Sequence, residues 1–306
     1  MLYCAPVPSQ TTFARVPSSA SPWFSSFTFL HKVKEDVQLP DIRQSGEEQE
    51  LGDRISVRVI ITGAAGRIGR ELVEELSGTH ELCLLDRSPV PGRKSIVADL
   101  ARSGTSNSWR RWFRPKVSRW ADLFAGADIV LHLAANANPS ASWPLVLRDN
   151  LQTTWNVLEA ATRHKVCRVV FASSNWAVKA LEQALAPACY LPDGPKIGSD
   201  APPRPISPYG TSKAFGELAG RRFVDERRLA SFIAVRIGSY HPTPPKDEET
   251  RRLWIGTHDL RSLLRHCVEV KLEGFHVVYS VSAQPTSPYD LSHTRHLLSW
   301  EPQQMP

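Results

Sequence analysis

Short apolar runs recur along most of this chain, and polar, amphipathic stretches separate them. The strand-like runs are Val57–Thr62, Glu81–Asp86, Ser95–Ala98, Ile129–Leu133, Val166–Ala172, Phe232–Ile237 and Phe275–Ser280. They are rich in Val, Ile, Leu and Phe and do not alternate cleanly with polar residues. That pattern fits strands covered on both faces. Helical stretches lie between most of them, as after Gly69, where Leu72, Val73 and Leu76 fall on one face. Alternation of this kind predicts a parallel sheet with helices on both sides. The expected class is α/β, a Rossmann-type doubly wound parallel sheet with a small C-terminal substrate-binding lobe.

The first run ends in Thr62-Gly63-Ala64-Ala65-Gly66-Arg67-Ile68-Gly69, with glycines at intervals of three. Strand, tight turn and helix in this order aim backbone N–H groups and a helix N-terminus at a pyrophosphate. Gly63 permits the turn, Gly66 the approach of the phosphate, and Gly69 the packing of helix on strand. The second run ends in Asp86, at the distance where an acid hydrogen-bonds a ribose 2′-hydroxyl. A carboxylate there repels a 2′-phosphate, which favours NAD. Arg87 beside it could accept that phosphate, so NADP is not excluded. An ordinary strand-end acid is the alternative for Asp86.

Ser207-Pro208-Tyr209-Gly210-Thr211-Ser212-Lys213 carries candidate chemistry. Ser207 suits an N-cap and Pro208 a first helical position. Tyr209 and Lys213 are then i and i+4 on one helix face. An ammonium beside a phenol favours the phenolate. Ionising a tyrosine at neutral pH requires roughly 4 kcal/mol of such help. One close ammonium plus a positive nicotinamide ring can supply that in a dry site. Standing alone, the pair would read as a surface contact.

With these segments in their order, the chain resembles the extended branch of the short-chain dehydrogenase/reductase superfamily. The matching pieces are Thr62–Gly69, His132-Leu-Ala-Ala135, Val169–Ser174 and Tyr209–Lys213. Within that branch it is most similar to the uronate dehydrogenase group. That likeness rests on Ala172-Ser-Ser-Asn175, Tyr209–Glu217, Val235–Ser239, Leu253–Gly256 with His258–Leu260, Gly274–Ser280 and Leu298–Pro302.

The resemblance implies roles. Tyr209 would be the general base, Lys213 would lower its pKa and hold the nicotinamide ribose, and Ser174 would orient the substrate hydroxyl. The cofactor would meet Gly63, Ala65, Gly66, Arg67, Ile68 and Gly69 at the turn and Asp86 beyond it. Asp99 and Leu100 would flank the adenine, and Leu133, Ala134 and Ala135 would let the backbone approach. Asn150 would steady the floor of the site, with a helix-surface asparagine as the rival reading. Ser239 would lie near the nicotinamide. The substrate would meet Ser174, Asn175, Trp176 and Arg251. Trp176 stands where the uronate enzymes often carry histidine; it can stack on a sugar face but cannot share a proton. Arg251 or Arg252 could grip a carboxylate or a phosphate. Two solvated arginines are the equal alternative.

The implied reaction is NAD-dependent oxidation of a monosaccharide at C1 to a lactone, with a hexuronate as first choice. A sugar phosphate or neutral aldose is the alternative substrate. A sugar epimerase or dehydratase with bound NAD is the alternative enzyme, and an NAD sensor without catalysis a third reading. A small substrate lobe, about 175–206 and 238–302, favours a monosaccharide over a nucleotide-linked sugar.

At 306 residues the chain can bury a full α/β core. Residues 56–302 are expected to form the NAD(P)-binding domain. Residues 1–55, rich in Ser, Pro and Thr, are expected to be a disordered extension with a faint transit-peptide character. The net charge of +6 invites a nucleic-acid reading, centred on Trp109–Lys116, but that stretch reads as a loop insertion. Neither nucleic acid nor a membrane is expected as partner; a homo-oligomer stays open. The five cysteines form no C-x-x-C pair, which suits a reduced, cytoplasmic setting without disulfides or metal.

Overall fold

Strand β1 (Arg58–Thr62) shows how the sequence becomes a sheet. Its side chains alternate across the sheet. Val59 and Ile61 join the apolar cluster on one face, and Ile60 joins the cluster on the other. Such burial contributes roughly 1.5–3 kcal/mol per large aliphatic side chain. The computed structural model describes residues 56–102 and 120–306, and the expectations for residues 1–55 and Trp109–Lys116 lie outside them.

The elements follow as α1 (Arg67–Leu76), β2 (Glu81–Asp86), β3 (Ile96–Val97), β4 (Ile129–His132), α2 (Trp143–Val146) and α3 (Thr153–Arg163). Next come β5 (Arg168–Ser174), α4 (Lys179–Leu185), α5 (Pro208–Asp225), β6 (Ser231–Ile237) and β7 (Ser239–Tyr240). The chain then forms α6 (Glu248–Arg251), β8 (Trp254–Ile255), α7 (Thr257–Glu269), β9 (Gly274–Ser280) and α8 (Ser292–Leu298). Seven strands form one sheet in the order β3-β2-β1-β4-β5-β6-β9, and β7 pairs with β8 apart from it. Every pairing in the large sheet is parallel. The strand order reverses between β1 and β4, so the crevice lies beyond their carboxyl ends.

Helices α1 and α7 cover one face of the sheet through Leu72, Leu76, Leu263 and Leu264. Helices α3 and α5 cover the other through Val157, Leu158, Ala219 and Phe223. Helix α5 lies unusually close to the strands. A Cβ at Gly216 would fall 2.2 Å from the Phe171 ring, and one at Gly220 would fall 2.3 Å from the Phe232 ring. Ser207 caps this helix, accepting from the Gly210 N–H at 3.0 Å, with Pro208 as its first residue.

The seven sequence runs coincide with the seven large-sheet strands. Strand β5 starts and ends later than its apolar run. Ser173 and Ser174 stay in register with Arg236 and Ile237 of β6, which carries the strand into the crevice. The sequence showed neither β7 nor β8. Cys189 and Cys267 are buried and Cys167 is exposed; all four described cysteines are unbridged. No described helix is long and apolar enough to cross a membrane.

Candidate active site

Two adjoining cavities occupy the crevice. One has a volume of about 720 Å³ and the other about 430 Å³. They share Gly63, Gly66, Leu133 and Ala135, so the glycine turn forms a saddle between them.

The saddle is built from main chain. Gly63 adopts a positive φ of 75°, and a Cβ there would meet the Ala134 nitrogen at 2.7 Å. A Cβ at Gly69 would meet the Gly63 carbonyl oxygen at 2.2 Å, which fixes α1 against the turn. The first turn of α1 leaves N–H groups without intrahelical partners, and Arg67, Ile68 and Gly69 line the larger cavity there. Arg67 itself donates to the Tyr240 carbonyl at 2.8 Å.

Ala65, Asp86, Leu100 and Ala134 line the smaller cavity. The Asp86 carboxylate accepts from the Ala65 N–H at 3.0 Å and from the Ser88 N–H at 3.0 Å. It therefore ties the turn to β2 while bordering the cavity. Arg87 is engaged by Asp149, and Asp99 lies 3.5 Å away. Those pairings compete with any 2′-phosphate. Asp99 does not line either cavity. Its carboxylate takes Arg148 at 2.6 Å as well as Arg87, so it acts as an ionic tie beside the smaller cavity.

Asn150 also stays out of both cavities, and it is not a surface residue either. It is buried in a wide helical turn, Leu147–Gln152, inserted between α2 and α3. Its Oδ1 accepts from the Asn136 N–H at 2.7 Å, and its Nδ2 donates to the Asn136 carbonyl at 3.1 Å and to Ser212 Oγ at 2.9 Å. Asn150 thus fastens the loop after β4 to α5.

Tyr209, Lys213 and Ser174 meet in the larger cavity. Tyr209 and Lys213 share a face of α5, and Ser174 ends β5. The Lys213 ammonium lies 5.5 Å from the centre of the Tyr209 ring and donates to the Ala172 carbonyl at 2.7 Å. Burial lowers the Lys213 pKa to about 8. Burial also pushes the Tyr209 phenol up, and its hydrogen bond with Ser174 pulls back only part of that. This differs from the simple expectation of a depressed phenol. In the protein alone, desolvation outweighs that hydrogen bond, and positive charge brought into the cavity would favour ionisation. The Ser174 hydroxyl also lies 3.1 Å from Asn175 Oδ1 and accepts from the Trp176 N–H at 3.3 Å.

Asn175, Trp176 and Ser239 line the larger cavity, as expected. Arg251 does not. Its Nε donates to the Pro245 carbonyl at 3.0 Å on an exposed loop. Arg252 pairs with Glu248 and stacks on the Tyr190 ring at 4.4 Å. Neither arginine is placed to clamp a substrate anion.

Other lining residues escaped the sequence reading, among them Lys179, Gln183 and Glu249. The proline-rich segments 200–208 and 241–245, which border the Tyr209 and Ser239 motifs in sequence, supply Ile206 and His241 to the same cavity. Behind the site, Arg236 of β6 pairs with Glu217 of α5 at 3.0 and 2.9 Å. Glu217 also accepts from the Ser173 hydroxyl at 2.6 Å, and Arg236 donates to the Tyr279 hydroxyl at 3.0 Å. Burial pulls the arginine down, but the Glu217 contacts outweigh it and hold the Arg236 pKa above its ordinary value. A lone charge inside an apolar strand signals a buried partner. Glu217 stands two turns beyond Tyr209 on the same helix face.

The saddle, the free N–H groups and the strand-end acid fit a dinucleotide lying across both cavities. Comparisons with known proteins agree. The profile of the NAD dependent epimerase/dehydratase family matches residues 59–255. An L-arabinose 1-dehydrogenase (NAD(P)(+)) from Haloferax volcanii is 31% identical over 80% of this chain and 96% of its own length. An NAD-dependent glucose-6-phosphate dehydrogenase from the same organism is 32% identical over 80% of this chain and 92% of its own. Among solved structures, a mutant uronate dehydrogenase from Agrobacterium tumefaciens, complexed with NAD, superposes with a TM-score of 0.66. It is 29% identical and covers 82% of this chain, which covers 86% of it. On its sequence and its fold alike, the chain belongs to the NAD dependent epimerase/dehydratase family.

Proposed function

We propose that this protein oxidises a free monosaccharide at its anomeric carbon and releases the lactone. Family membership and its dehydrogenase relatives make it an NAD-dependent oxidoreductase acting on CH–OH groups. The reacting carbon and the sugar are the proposal. One observation carries it: Tyr209, Ser174 and Lys213 converge in a cavity that continues across the glycine saddle.

NAD, when bound across the saddle, supplies a hydride acceptor and a positive charge. The protein's groups do the rest. The Ser174 hydroxyl holds the C1 hydroxyl toward Tyr209. Tyr209, as phenolate, takes the hydroxyl proton as the C1–H bond breaks. Lys213, still mostly protonated near neutrality, stabilises the phenolate. Trp176 offers an aromatic wall to the sugar's C–H face. The cofactor-side residues are Gly63, Ala65, Gly66, Arg67, Ile68, Gly69, Asp86, Leu100, Leu133, Ala134, Ala135 and Ser239, all of which border one or both cavities. A hexuronate, the first choice from sequence, stays a test substrate. The clamp expected for its carboxylate, Arg251, does not reach the cavity.

The test is NADH formation with aldoses, uronates and sugar phosphates, together with NMR of the product. Many equivalents of NADH per enzyme, with the lactone or its hydrolysed acid, are expected. Conversion of one sugar to its epimer with no net NADH would replace this reading by the epimerase one.

A further inference from the structure

Charge at the substrate end of the larger cavity points to the kind of sugar. Its charged lining residues are Arg67, Lys179, Lys213 and Glu249. Arg67 and Lys213 belong to the cofactor side, one on the first turn of α1 and one beneath Tyr209. Lys179 and Glu249 remain for the substrate.

The Lys179 charge is already met. Its ammonium donates to Glu182 Oε1 at 2.7 Å, and both side chains are largely buried. Glu182 is held from behind: the Tyr190 hydroxyl donates to Oε1 at 3.0 Å and the Tyr289 hydroxyl to Oε2 at 2.8 Å. This fixed carboxylate keeps Lys179 at the cavity wall as a donor without net charge. Glu249, exposed on α6, borders the same cavity and makes no ion pair with any described residue. Asp247 caps that short helix, accepting from the Thr250 N–H at 2.8 Å, and so sets Glu249 and Thr250 at the cavity. The nearby arginines are occupied elsewhere, as described above.

We propose that the substrate end recognises a neutral polyhydroxy aldose, with Glu249 accepting from sugar hydroxyls and the Lys179–Glu182 pair donating to another. A carboxylate can accept from two neighbouring hydroxyls, and an ammonium donates without needing an anion. A uronate or sugar phosphate would instead meet an uncompensated carboxylate. This proposal rests on the C1-dehydrogenase reading above.

The experiment compares matched substrates on the full-length enzyme with NAD. Galactose is set against galacturonate, and glucose against glucuronate and glucose 6-phosphate. Neutral members should exceed their anionic partners at least tenfold in kcat/KM. Glu249→Gln should raise KM for the neutral sugar several-fold with kcat nearly unchanged, and Glu249→Arg should shift the ratio toward the uronate by tenfold or more. Calorimetric titration of the Tyr209→Phe enzyme with NAD and each sugar should give the same order of affinity. If a uronate or phosphate surpasses its neutral partner in the unaltered enzyme, the proposal fails while C1 oxidation stands. NADH from none of these sugars would remove the C1-dehydrogenase reading, and this proposal with it.

Discussion

Around Gly63 the crevice is made of main chain; around Trp176 it is made of side chains. On the first side, a Cβ has no room at Gly63 or Gly69, so the turn's path follows from which residues lack one. On the second side, Trp176 and Lys179 come from the stretch after β5 and Glu249 from α6, and their net effect depends on partners such as Glu182 and Tyr289. Backbone geometry tolerates little variation, so a dinucleotide cradle recurs in recognisable form. A wall of side chains can change its charge through one substitution. That contrast explains how relatives near 30% identity can be an arabinose dehydrogenase and a glucose-6-phosphate dehydrogenase.

The sharpest way to break the comparison is at the seam between the sides. Tyr209→Phe removes the proposed proton acceptor and leaves the saddle untouched. Turnover should fall by about 10²–10⁴-fold, with NAD affinity by calorimetry nearly unchanged. A near-normal rate would show that the chemistry resides elsewhere.

Lys213 belongs to both sides, and its expected effect is on stability as well as rate. Its folded pKa of about 8 lies below that of the unfolded chain. Between those values the unfolded state binds more protons, so stability rises with pH through that window. Below pH 8 the fold bears the full cost of the buried charge, up to about 3 kcal/mol. Lys213→Met should therefore lose activity yet resist urea better at pH 7, with the advantage shrinking in alkaline buffer. Equal stability at both pH values would contradict the burial argument.

The smallest effect is at the far cavity. Asp86→Ala should reduce the preference for NAD over NADP by about tenfold, the worth of one hydrogen bond to a charged acceptor. Kinetics with the two cofactors measure it. An unchanged ratio would confine Asp86 to bracing the Ala65 N–H.

The same division governs what the sequence discloses. Runs such as Ile129–Leu133 and Phe232–Ile237 announce strands because burial on both faces demands mostly apolar residues. The saddle is legible because glycine spacing is itself the geometry. Tyr209 and Lys213 are legible because helical periodicity brings them together. Asp99 and Arg251 show the limit. The family resemblance offers both as ligand contacts, but Arg148 and the Pro245 carbonyl hold them in the folded chain. Pairing of that kind arises only once distant segments meet. Lys179 and Glu249 were missed for the same reason.

Helix α5 presses on the sheet where two side chains are missing. At Gly216 and Gly220 the Phe171 and Phe232 rings occupy the space a methyl group would fill. These positions lie roughly two and three turns along from Tyr209 and touch no reacting atom. They nonetheless set how far the phenol hangs into the crevice. Alanine at either place would act as a shim, lifting the helix and withdrawing the hydroxyl from its target. Catalytic reach in this protein is therefore gauged by empty space beneath the helix.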